Sequence, residues 1–213
     1  VKRGIATGAN DFFFLTRSRA HGLGLLEEFL IPAIGRTRDV TGDEITAETM
    51  LGLESLGRPT LLFAPDGRPL DEFSSPMRSY LEYGVAMGLS EKPLLRSRRP
   101  WYKMETRQVP PFLFAYLGRR SARFIRNVAG VVPLSGFLCV YPRSNDPEFW
   151  DRLWLALSDS ETVAMLHLVG KSYGSGAIKV EPRALERLPL PPDVMTKTGI
   201  LSEGSKGQLQ LAL

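Results

Sequence analysis

Cysteine is nearly absent from this 213-residue chain: Cys139 stands alone, which excludes an internal disulfide and any zinc site built from cysteines. Histidine is almost as scarce, with His21 and His167 only, so a histidine-rich metal centre is not expected either. Long hydrophobic runs are missing too. Stretches such as Leu61 to Ala64 and Phe112 to Leu117 fall far short of the roughly 20 apolar residues that span a bilayer, so no membrane partner is expected. The cysteine usage points to a reducing, cytoplasmic compartment. The first residue is Val1 rather than methionine, and patterned sequence follows at once, so the chain reads as a fragment of a longer protein.

What is present is an ordinary globular composition, 43% hydrophobic and 23% charged, in a length that suits one large domain or two small ones. The net charge of +4 hides an uneven distribution. Residues 1–95 and 127–213 each carry a slight excess of acid. Between them Arg96, Arg98, Arg99, Lys103, Arg107, Arg119, Arg120, Arg123 and Arg126 face a single acidic residue, Glu105. Arginine also outnumbers lysine, and its planar fork suits bidentate contact with phosphates and guanine edges. The pattern points to a polyanion, with a solvated basic face as the plain alternative.

The hydrophobic spacing predicts an α+β fold of mixed and antiparallel sheet pieces with packed helices. Gly4, Gly8 and Asn10 mark a loop that leads into a buried strand over Phe12 to Leu15. A Gly-x-x-x-Gly phosphate loop is excluded there, because no Walker-type lysine follows. Glu27 to Pro32 reads as a helix end or turn, with an extended piece beginning at Arg36. A strand is expected over Thr60 to Ala64. A helix is expected over Ser75 to Met87, with Tyr83 to Val85 in its apolar stripe and Gly88 as its stop. Pro111 to Leu117 and Ala122 to Val128 fit a hairpin, although a helix placing Arg119, Arg123 and Arg126 on one face remains open. A strand over Phe137 to Tyr141 follows, then helices from Asp146 and over Ser160 to Val169, and a glycine loop that runs into a short strand. Residues 1–192 are expected to form the folded unit and 193–213 a tail, loosely ordered or docked.

Three segments carry a resemblance. They are Arg3-Gly-Ile-Ala-Thr-Gly-Ala-Asn-Asp-Phe-Phe-Phe14, Pro100-Trp-Tyr102 with Arg123-Phe-Ile-Arg-Asn127, and Gly174-Ser-Gly-Ala-Ile-Lys-Val-Glu-Pro182 with Leu188-Pro-Leu-Pro191. In that order they resemble the carboxy-terminal target-recognition domain of TaqI-like, adenine-specific DNA methyltransferases of restriction–modification systems. The resemblance implies a module that reads double-stranded DNA, attached to an upstream catalytic domain of the same polypeptide. In that family the catalytic half uses S-adenosylmethionine and an Asn-Pro-Pro-Tyr type motif that holds the flipped adenine. Neither is present here. Val109-Pro-Pro-Phe112 lacks the Asn or Asp that would accept from the adenine amino group, so no catalytic role and no cofactor are expected within these residues.

The candidate DNA-binding residues are Arg96, Arg98, Arg99, Lys103, Arg119, Arg120, Arg123, Arg126 and Asn127, joined by a second polar loop of Lys171, Ser172, Tyr173, Ser175 and Lys179. Gly4, Thr7, Gly8, Asn10, Trp101 and Tyr102 are candidate motif or domain-contact residues. Each has a plainer alternative. Thr7, Gly8 and Asn10 approach a catalytic domain or DNA backbone, or simply form a turn. Trp101 and Tyr102 stack on a base or anchor a core. Asn127 reads adenine or orders a buried turn. Lys179 reaches a groove or pairs with Glu181. His21 reads as a surface residue, His167 as a helix-packing one and Cys139 as buried. A stand-alone nucleic-acid-binding or specificity subunit is the alternative function class, and a free-standing enzyme with a site not evident in the sequence is the third.

Overall fold

A computed structural model of the chain describes residues 1–116, 122–173 and 177–201. The strands are β1 (Lys2–Arg3), β2 (Phe14–Leu15), β3 (Leu30–Ile34), β4 (Glu44–Ile45), β5 (Leu61–Phe63), β6 (Phe112–Ala115), β7 (Arg123–Asn127), β8 (Val132–Pro133), β9 (Phe137–Val140), β10 (Lys171–Tyr173) and β11 (Ala177–Lys179). The helices are α1 (Asn10–Phe13), α2 (Arg17–Gly22), α3 (Ala47–Ser55), α4 (Ser75–Ala86), α5 (Pro93–Arg96), α6 (Pro147–Ser158), α7 (Ser160–Ala164), α8 (Leu166–Val169), α9 (Pro182–Leu185) and α10 (Pro192–Lys197). The architecture is mixed α+β, as the spacing predicts.

The central sheet has the order β1-β9-β6-β7-β4 and is antiparallel except where β4 joins β7. Pairing Phe112 with Arg126 and Ala115 with Arg123 makes β6 and β7 adjacent antiparallel strands, which rules out the helical alternative for 123–127. The alternation along this pair is real but carries apolar residues to both faces. Phe112, Phe114 and Phe124 pack under α6 to α10, while Leu113, Ala115 and Ile125 pack with Ile34, Val40 and Leu53 on the other side. A sheet covered on both faces explains why Phe112 to Ala115 is an unbroken apolar run.

A second sheet, β2-β5-β3-β8, closes over a separate cluster with Phe12, Phe13, Phe63, Met77, Tyr80 and Leu81 at its centre. Helix α4 buries Met77, Tyr80, Leu81 and Gly84, the 3-4-7 spacing of one face. Tyr83 and Val85, expected in that stripe, are instead 54% and 49% exposed, because they flank Gly84 on the two sides of the buried face. Gly88 ends the helix with φ +71°, a left-handed conformation that glycine adopts without strain.

The structure corrects several local expectations. Phe12 and Phe13 belong to a helical turn, because the Phe12 and Phe13 amides both donate to the Ala9 carbonyl; only Phe14 and Leu15 are strand. A short apolar run buried on all sides does not distinguish the two. Leu30–Ile34 is a strand despite Pro32, which sits opposite Leu61 with its ring exposed, and Thr37–Asp39 is a turn of 3₁₀ helix where an extended piece was expected. The segment 160–169 breaks at Met165 into α7 and α8. His167 is exposed rather than packed, its Nδ1 2.5 Å from the Ala164 carbonyl. Within the segment expected as a loosely ordered or docked tail, α10 buries Val194 and Met195 against the α6 cluster. No described helix is long and apolar enough to cross a membrane, and no described cluster of His, Cys, Asp or Glu is arranged to hold a metal.

Candidate nucleic-acid interface

The amino-terminal motif and the basic segment, about 90 residues apart in sequence, meet in space. Arg98 is half-buried, and its guanidinium donates to the carbonyls of Ala6 (2.6 Å) and Thr7 (3.3 Å). Burial pulls the Arg98 pKa below its usual range, a cost that the two carbonyls offset by hydrogen bonding. The side chain of Leu95 lies against Gly8, whose φ of +79° turns the loop; a Cβ there would sit 3.0 Å from the leucine. Gly4 is required for a different reason. A Cβ at that position would lie 2.2 Å from the Leu134 carbonyl oxygen, because β1 leads directly onto the backbone after β8.

Within the loop, the buried Thr7 hydroxyl donates to Asn10 Oδ1 (2.5 Å) and accepts from the Ala9 amide (3.2 Å). This is the turn, one of the two readings of these residues, and it also presents Asn10 at the surface with its amide orientation set. Behind the loop stand the aromatic residues. Phe12 stacks on Tyr80 with centroids 4.2 Å apart, and the Tyr80 hydroxyl donates to the Phe12 carbonyl. Burial raises the Tyr80 pKa to about 12. Trp101 packs on Phe12 and Phe13, while Tyr102 is buried and donates to the Arg68 carbonyl (2.8 Å). Both therefore serve as core anchors of the segment that bears Arg96 and Arg99.

The remaining basic residues separate into two groups. Arg107 pairs with Glu105 and Arg126 with Asp151, while Arg123 lies 3.4 Å from Asp43 and donates to the Val40 carbonyl. In contrast, Arg96, Arg99 and Lys103 are exposed and make no ion pair among the described residues; Arg99 donates only to the Arg96 and Arg98 carbonyls. Arg119, Arg120 and Ser175 lie outside the described residues. Asn127 is buried, and its amide is committed: Nδ2 donates to the Pro110 and Val131 carbonyls, both at 2.8 Å, and Oδ1 accepts from the Val131 amide. Its place is a hollow of about 270 Å³ near Trp150, apart from the motif loop. Lys171, Ser172 and Tyr173 form β10 and Lys179 ends β11; Lys179 Nζ lies 3.3 Å from Glu181, which also pairs with Arg3.

An open cleft of about 640 Å³ adjoins the loop, lined by Thr7 to Phe12, Arg19, Tyr83, Met87, Lys92 and Leu94 among others. Arg19, Tyr83, Met87 and Lys92 are absent from the sequence-derived candidates. Lys92 lies just outside the basic window, and Tyr83 carries a signal only once the phase of α4 is known.

Two local features that bear on a cofactor are taken up by the fold. The Pro110 carbonyl is taken by Asn127, and Gly4 is a packing glycine rather than part of a strand-to-helix phosphate turn. Comparison with known proteins gives the family. The model of the type II methyltransferase M.Eco57I C-terminal domain matches residues 1–207. Type II methyltransferase M.AccI of Acinetobacter calcoaceticus is 26% identical over 211 residues, covering 98% of this chain and 37% of that protein. Type II methyltransferase M.XamI of Xanthomonas campestris pv. amaranthicola is 25% identical over 199 residues, covering 90% and 34%. The chain thus spans about a third of the length of these curated relatives. It belongs to the type II methyltransferase M.Eco57I C-terminal domain family.

Proposed function

We propose that this chain binds double-stranded DNA and positions it for an upstream catalytic domain of the same polypeptide, which transfers a methyl group from S-adenosylmethionine to the exocyclic amine of adenine in the cytoplasm. The observation that carries the reading is the exposed trio Arg96, Arg99 and Lys103, outside any ion pair among the described residues, on a segment anchored by Arg98, Leu95 and Trp101. Arg96 and Arg99 release counterions from phosphates at no cost in broken ion pairs, and Lys103, whose charge also acts on Asp66, at a small one. Arg119 and Arg120 are further candidates by sequence alone. Arg123 and Arg126 would first exchange Asp43 and Asp151 for phosphate, so they contribute less. Lys171, Ser172, Tyr173 and Lys179 form a second candidate contact on strands β10 and β11, with Ser175 a candidate by sequence alone.

The test is binding of a labelled duplex followed by fluorescence anisotropy across a salt series. Replacing Arg96, Arg99 and Lys103 together with alanine is expected to weaken binding and to reduce the slope of log K against log salt by roughly 0.9 for each phosphate no longer neutralised. An unchanged slope and affinity removes this segment from the DNA face. For the whole protein, methylation mapped in a host that expresses it tests the adenine-methylating activity directly.

A further inference from the structure

We propose that the cleft beside the Thr7 to Asn10 loop is a nucleotide site that receives one unpaired, unstacked nucleotide of the bound DNA. The inference rests on the reading of the chain as a DNA-binding module and adds a ligand to a part of it that no base-reading role covers. At about 640 Å³ the cleft falls within the range of small-ligand sites, room enough for a base with its sugar and phosphate.

The chemistry of the lining points the same way. Because Asn10 Oδ1 is taken by the Thr7 hydroxyl, the Asn10 group left to the cleft is the Nδ2 donor, which has no partner among the described residues. Next to it the Asp11 carboxylate, an acceptor, is also unpartnered among them. A donor beside an acceptor is what the hydrogen-bonding edge of a base requires. Across the cleft, the Tyr83 ring is 54% exposed and Met87 is 53% exposed, an apolar and aromatic surface at the end of α4 that no described residue covers. Lys92, exposed and without an acidic partner among the described residues, supplies a cation for a phosphate.

The segment carrying Lys92 runs on into Arg96 and Arg99, so a strand that follows the basic segment leads into the cleft. Paired, stacked bases hide their faces against their neighbours; only a nucleotide out of the stack offers a face to Tyr83. A purely apolar side chain inserted by a protein partner would leave the Asn10 amide and the Asp11 carboxylate desolvated without partners, which a base edge would not.

The experiment compares two duplexes of the same sequence, one fully paired and one with a single extrahelical nucleotide, binding the chain in an anisotropy assay. The wild type is expected to prefer the bulged duplex by about tenfold, the scale of one base stacked on an aromatic ring. Tyr83→Ala is expected to abolish that preference while leaving affinity for the paired duplex unchanged, and Tyr83→Phe, which keeps the ring, to retain it. Tyr83 lies on the surface, so an unchanged melting temperature confirms that the variants fold. A preference that survives Tyr83→Ala overturns the proposal. Equal binding of both duplexes by the wild type also overturns it and leaves the DNA-binding reading intact. Binding to neither duplex removes the DNA-binding reading itself, and the nucleotide site with it.

Discussion

At the scale of single residues, the same side-chain chemistry serves different ends according to burial. Arg98 and Arg99 are neighbours in sequence, yet Arg98 is half-buried and bonded to two loop carbonyls, while Arg99 is exposed. Arg98→Lys keeps the charge but loses the planar fork that reaches both carbonyls. It is therefore expected to lower the melting temperature nearly as much as Arg98→Ala, and neither variant should change the salt slope of DNA binding. A slope reduced by Arg98→Ala and restored by Arg98→Lys would show a phosphate contact instead. Asn127 is similarly occupied by the fold. Removing its amide leaves the Pro110 and Val131 carbonyls and the Val131 amide unpaired in a buried place, so Asn127→Ala is expected to destabilise by about 2–3 kcal/mol in urea unfolding. In the sequence Asn127 has the residue type of an adenine reader, and nothing local shows that two carbonyls from separate segments converge on it.

At the scale of elements, α3 is held against the second sheet by charge. The Glu54 carboxylate accepts a paired fork from Arg17 on α2 and a bond from Thr60, which leads into β5. The hydrogen bond from Arg17 is the main cause that holds the Glu54 carboxyl below its ordinary pKa, with Thr60 adding to it. A carboxylate whose folded pKa is depressed contributes stability that is present above its unfolded pKa and is lost as pH falls through the folded one. Stability of the wild type should therefore fall on acidification below the usual glutamate range. Glu54→Gln should be less stable at neutral pH, by about 1 kcal/mol, and should converge with the wild type in acid. Chemical denaturation at a series of pH values checks both. Elements of this kind were legible where local rules dominate: Asp146 caps α6 by accepting from the Glu148 amide, and Gly88 closes α4. They were illegible where burial on all sides erased the period, as at Phe12 to Leu15, or where a proline sat inside a strand, as at Pro32.

At the scale of the whole molecule, the segment after β7 ties the two sheets together. Val132–Pro133 pairs with β3 in one sheet, Phe137–Val140 pairs with β6 and β1 in the other, and Ile5 and Gly4 donate to Pro133 and Phe137 across the junction. A shared strand segment makes independent melting of the two sheets costly, so the chain is expected to unfold in one transition. Trp101 belongs to the first cluster and Trp150 and Trp154 to the second. Variants keeping only Trp101, or only Trp150 and Trp154, should give coincident urea curves; separated midpoints would show two units.

The sequence by itself determined the mixed α+β class, the capped helix α6, the concentration of arginine over residues 96–126 and the motif order that carries the family resemblance. These depend on local spacing, caps and composition, which do not need the rest of the chain. Only the tertiary structure decided which cations are free. It committed Arg98 to the motif loop, paired Arg107, Arg123 and Arg126 with acids, left Arg96, Arg99 and Lys103 exposed, and opened the cleft between Asn10, Tyr83 and Lys92. The physical reason is that a charge is defined chemically by its own residue, whereas its partners and its solvent exposure are set by segments that come from far along the chain.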